Sequence, residues 1–122
     1  MKVTDLMVGD WIQVKRGFNG HLTNEKIKGI IDDDTESYPI TLATEETVSL
    51  NDVVPIELTE EILVKNGFVK TWNGDWQLKE YSTIIISKDY YVKIFERSIR
   101  IDYVHELQHL LRMCGIEKEI EL

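Results

Sequence analysis

The stretch YVHELQHLL, residues 103–111, carries the spacing H-E-x-x-H at His105, Glu106 and His109. On a helix, residues four apart stand one above the other, so two imidazoles can reach one metal ion. The Glu between them then polarises a metal-bound water, which is the chemistry of a zinc-dependent hydrolase.

Four features of the chain argue against that chemistry. A catalytic zinc takes three protein ligands. The extended pattern H-E-x-x-H-x-x-G-x-x-H would put Gly at 112 and His at 115, where this chain has Arg112 and Gly115. The variant with a downstream Glu needs a second helix, and only thirteen residues follow His109. His21, the one other histidine, sits in a turn cluster far away in sequence. On a wheel of 100° per residue, Tyr103, Val104, Leu107, Leu110, Leu111 and Cys114 form an apolar stripe. His105 and His109 lie nearly opposite it and are expected to face solvent. The reading is therefore no catalytic residue, no cofactor and no metal. The set His105, Glu106 and His109 of a zinc-dependent hydrolase is the alternative.

Other chemistry is sparse. Asp32-Asp33-Asp34-Thr35-Glu36 is acidic but lacks the Gly and the terminal Glu of a calcium-binding EF-hand loop, and reads as a solvated turn. There is no Gly-rich phosphate loop and no G-x-S-x-G. Cys114, the single cysteine, excludes an internal disulfide and reads as a buried helix end. Three tryptophans stand out in 122 residues. Trp72 and Trp76 flank Asn73-Gly74-Asp75. A three-residue loop there would set the two rings side by side on one hairpin face, a possible interface.

The elements that must position these residues are short. Turns at regular intervals separate Trp11-Ile12-Gln13-Val14, KIKGIID, YPITLA and TVSL, which read as four strands of a small SH3-like or barrel-like β half over 1–58. NDVVPI reads as a tight turn leading to Pro55. Thr59 N-caps a helix that Glu60 and Glu61 open and Asn66-Gly67 closes. An antiparallel meander follows through VKTW, WQLKEY, STIIIS, YYVKIFE and SIRI. The last helix starts after Asp102 and stops at Gly115. EKEIEL is expected as an edge strand. The fold class is α+β, with the second half, 59–122, reading as helix, meander and helix. The two halves are separate domains or one compact domain, with the boundary at Pro55–Thr59.

A formal net charge of −8 argues against duplex nucleic acid or an anionic membrane as partner, because both demand a basic face. No stretch approaches the roughly 18 apolar residues of a membrane span. MKVTDLMVGDW lacks the apolar run of a secretion signal, so a cytoplasmic location is expected.

Three stretches in order, DLMVGDWIQV, PIELTEEILVKNGF and YVHELQHLLRMCG, resemble a family of short uncharacterised proteins from gut anaerobes of the Bacteroides group. That family often occurs in prophages or mobile elements. Its motifs are P-I-x-L-T-E-E-x-L-x-x-x-G-F and Y-V-H-x-L-Q-x-L. The second requires neither Glu106 nor His109, so the resemblance implies that H-E-x-x-H is a local accident. It implies no activity, substrate or cofactor. The expected function is a non-catalytic protein-binding or accessory role, acting on a protein partner or by self-association. An acidic decoy that occupies a nucleic-acid-binding surface is a further alternative.

Overall fold

The computed structural model describes residues 2–94 and 97–122. Phe95 and Glu96, the end of the expected YYVKIFE strand, lie outside the described residues, as does Met1. The chain is α+β, with two five-stranded antiparallel sheets and two α-helices among the described residues. It divides into two compact units, Met1–Ile56 and Glu57–Leu122.

The N-terminal unit is built on β1 (Trp11–Arg16) and β2 (His21–Ile30), a long hairpin in register from Trp11↔Lys26 to Arg16↔His21. Alternation works as the sequence requires: Ile12 and Val14 are buried, and Gln13 and Lys15 point the other way. Then β3 (Ile40–Leu42) pairs with β2, and β4 (Thr47–Val48) with β3. A 3-10 turn, Leu50–Asp52, leads into β5 (Val53–Val54), which pairs with β1. The sheet order is β4-β3-β2-β1-β5. The expected turn at NDVVPI thus contains a strand, which Pro55 ends by removing a backbone donor. Leu6, Ile12, Val14, Ile27, Ile40, Leu42, Val48 and Val53 make the core of this unit. Asp10 is fully buried and ties the entry turn: its Oδ2 accepts from Met7 N at 2.8 Å, and its carbonyl accepts from Ile27 N at 2.9 Å.

The C-terminal unit opens with α1 (Glu60–Lys65). Thr59 Oγ1 accepts from Ile62 N at 3.3 Å, the N-cap the sequence expects. Gly67, with φ 87°, provides the left-handed residue that ends the helix. The meander is β6 (Phe68–Lys70), β7 (Trp76–Leu78), β8 (Tyr81–Ile86), β9 (Tyr91–Ile94) and β10 (Arg97–Arg100), in spatial order β10-β9-β8-β7-β6. The last helix, α2 (Val104–Met113), ends in a Schellman turn: Gly115 N donates to Arg112 O at 3.0 Å and Ile116 N to Leu111 O at 2.8 Å. Its N-cap is Tyr103, one residue later than expected.

The final segment is not a strand. Instead, the buried side chain of Asn66 pins it as a neighbouring strand would. Asn66 Nδ2 donates to Glu121 O at 2.7 Å, and Asn66 Oδ1 accepts from Glu121 N at 2.7 Å. The same Nδ2 donates to Ile62 O at 2.8 Å, so one amide joins the end of α1 to the tail. Ile120 is buried as a result.

Candidate functional site

The H-E-x-x-H residues do lie on a helix, but the helix uses them differently. Glu106 is the third residue of α2, and its Oε1 accepts from Asp102 N at 2.9 Å and Tyr103 N at 3.0 Å. It therefore satisfies the amide of the N-cap Tyr103 and that of the residue before it, and its charge sits favourably at the positive end of the helix dipole. A water-activating base needs its carboxylate aimed at the metal, and this one is aimed at its own helix start.

The histidines are not both on a solvated face. His105 is buried, with only 5% of its surface exposed, whereas His109 is partly exposed. The expectation that both point to solvent is corrected for His105. The wheel assigned faces by apolarity alone. In the fold, the buried arc of α2 also takes in His105 and Gln108. Tyr103 stacks its ring on His105, with centroids 5.8 Å apart and planes 7° from parallel. His109 meets His105 edge to face at 5.6 Å. The imidazoles thus pack as aromatic rings in a short row. Among the described residues, no three His, Cys, Asp or Glu side chains gather closely enough to hold a metal ion. Purified protein dialysed against a weak chelator is expected to contain no stoichiometric zinc by elemental analysis. One tightly held equivalent would contradict this reading of α2. Cys114 is exposed at the end of the helix, not buried as its apolar neighbours suggested.

The tryptophan pair also differs from expectation. Lys70, not Trp72, pairs with Trp76. The connection is therefore five residues, 71–75, and not three. Gly74 N donates to Thr71 O at 3.0 Å and Thr71 N to Asp75 O at 2.7 Å. Asn73 Oδ1 accepts from Thr71 Oγ1 and, at 3.4 Å, from Asp75 N. Gly74 takes φ 89° after the turn, where a side chain would be strained. Asp75 Oδ1 accepts from Lys88 N at 3.4 Å and ties the loop to the next hairpin. Trp72 is the second residue of this turn, so its ring projects outward and is 98% exposed. Trp76 is 5% exposed and sits in the core, with Lys70 Nζ 5.6 Å from the ring centre. The two rings do not share a face, and the buried one is Trp76, the reverse of what closeness to the first helix suggested.

The N-terminal unit has a counterpart that the sequence reading passed over. Phe18 lies at the tip of the β1–β2 hairpin, between Gly17 and Gly20, both with φ 65°, and is fully exposed. The signal was present in R-G-F-N-G-H: an aromatic between turn glycines has no strand to fold back on. The acidic loop 32–36 lines a cleft of about 590 Å³ with Lys2 and Asn51. Within that loop, Asp33 Oδ1 accepts from Thr35 N at 2.9 Å and from Thr35 Oγ1 at 2.8 Å. These bonds hold the Asp33 carboxyl below its usual range and occupy it in its own turn. No helix among the described residues is long and apolar enough to cross a membrane.

No protein-family model, no curated protein and no solved structure matches the chain. The reading of function therefore rests on the geometry of the chain itself.

Proposed function

We propose that the protein is a small protein-binding or accessory module whose main contact point is the Trp72 hairpin tip. The observation that carries this reading is the contrast between the two tryptophans: Trp76 is enclosed, whereas Trp72 is 98% exposed on a loop braced by the five hydrogen bonds described above. A large apolar ring held out in water has no folding benefit to offset its exposure. Held by a braced turn, it loses little conformational freedom when a partner encloses it, and Trp is enriched, with Tyr and Arg, among the residues that carry binding energy at protein interfaces. Phe18, equally exposed on its own hairpin, supports the same mode of action in the N-terminal unit. The order β4-β3-β2-β1-β5, with a 3-10 turn before the last strand, supports an SH3-like reading of that unit. The resemblance to mobile-element proteins suggests the setting, in which the partner is a phage or host protein.

Trp72→Ala is expected to leave the unfolding free energy within about 0.5 kcal/mol of wild type, because the ring touches little of its own fold. The same variant should lose the self-association or partner capture that wild type shows. Sedimentation and affinity capture of both proteins from native cells test this together. Equal association by both proteins would remove the hairpin tip as the contact point.

A further inference from the structure

At the opposite side of the C-terminal sheet from the Trp72 hairpin, β10 is an edge strand. Its only neighbour among the described residues of this unit is β9, and all four of its residues are exposed. Ile101 N donates to Tyr90 O at 2.7 Å, which sets the phase of the ladder. Hydrogen-bonded pairs recur every second residue in an antiparallel pair, so Ile99 bonds to Val92 and the N–H and C=O of Ser98 and Arg100 face outward. These groups are a template for another strand.

The side chains around that edge are specific. Arg97 and Ile99 lie on the face that carries the buried Val92, whereas Ser98 and Arg100 share the other face with Lys93 and Tyr91. Ile99 is 43% exposed at the rim of a cleft of about 180 Å³, where α2 contributes Leu110, Met113, His109 and Glu106, whose Oε1 is taken up by the amides at the start of its own helix. Arg100 is held in place by Asp102, at 2.6 Å, and by the Tyr91 ring, 5.5 Å away. In a chain of net charge −8, this edge carries cations on both of its faces: Arg97 on one, Lys93 and the Asp102-paired Arg100 on the other.

We propose that the free edge of β10 docks an extended acidic segment of a partner protein as a sixth strand. One apolar side chain of the segment enters the cleft beside Ile99, Leu110 and Met113. Acidic residues next to it in the segment lie against Arg100 and Lys93, and those two positions away lie against Arg97. Strand addition draws its affinity from backbone hydrogen bonds and its selectivity from alternate side chains, which is the division this edge displays. The arginines also make pairing of two β10 edges from two copies unfavourable, so the edge favours an acidic strand over itself.

The test uses a fluorescein-labelled, capped peptide, Thr-Glu-Glu-Ile-Glu-Glu-Thr, and its counterpart with every Glu replaced by Lys, each titrated with the full chain. The acidic peptide is expected to bind with a dissociation constant below about 1 mM, at least tenfold tighter than the lysine peptide. Ser98→Pro removes an outward N–H and leaves the β9 ladder intact, because proline is tolerated on the open side of an edge strand. It should weaken the acidic peptide by about tenfold or more. Should that variant fail to fold, Arg97→Glu carries the test: it should weaken the acidic peptide and strengthen the lysine one. Trp72→Ala should bind the acidic peptide like wild type, since the two surfaces lie at opposite sides of the sheet. Absence of acidic-peptide binding, equal affinity for the two peptides, or indifference to both β10 substitutions would overturn the proposal.

Discussion

Replacing Trp76 by Ala is expected to lower the unfolding free energy by about 3–5 kcal/mol, measured by chemical denaturation. Trp76 is the first residue of β7, and its cross-strand neighbours are Lys70 on β6 and Ile86 on β8. Ile86 in turn faces Val92 on β9. Trp76, Ile86 and Val92 are all buried, so one row of side chains runs across three strands. Removing the indole opens the middle of a packed layer, which costs the lost burial and leaves a cavity that strands cannot close without breaking their register. The Lys70 ammonium also loses the ring face it sits over. A loss below about 1 kcal/mol would mean that Trp76 is not in the core.

Leu107→Ala is expected to cost about 2–5 kcal/mol in the same assay. Leu107 is fully buried near the middle of α2, between Val104 and Leu111 on the same face. The comparison that gives this number meaning is His109→Ala, two residues along on the partly exposed side, where losing the edge contact with His105 should cost no more than about 1.5 kcal/mol. The reverse order would show that α2 presents a different face to the sheet. Glu106 occupies the cap and His105 the buried side, so neither is a neutral control for this pair.

Local signals in the sequence were legible where one residue decides the geometry. Thr59 and Gly67 bracket α1, and Gly115 ends α2, because a hydroxyl cap and a left-handed residue have few substitutes. Period-two alternation was enough to place Ile12 and Val14 inward. Non-local pairing was not legible. Val53–Val54 is a strand only because β1 lies beside it, some forty residues earlier in the chain, and two residues carry no periodicity of their own. The tail shows the same limit, since EKEIEL alternates like a strand and yet is held by side chains, among them Asn66 on both backbone groups of Glu121 and Lys65 on the Leu122 carbonyl.

The candidate site followed the same division. Asn73-Gly74 announced a turn, but the sequence could not say that the turn starts at Thr71. That shift puts Gly74 after the bend and Trp72 within it, outside the sheet. At α2, the motif spacing was correct and its chemical meaning was not, because Glu at the third position of a helix is also the best cap for its own amides. His105 was misplaced by a wheel that cannot see the Tyr103 ring lying over it.

The central claim is that Trp72 is where this protein meets its partner. The most direct measurement replaces all three tryptophans with 5-fluorotryptophan and follows their fluorine resonances in native cells, with Trp72→Phe assigning the signal. Fluorine shifts respond to the immediate surroundings of each indole, so contact is read ring by ring. The account predicts that the Trp72 resonance broadens or shifts in cells relative to the purified protein, while the resonance of buried Trp76 keeps its position. A Trp72 resonance as sharp and unshifted in cells as in buffer would contradict it.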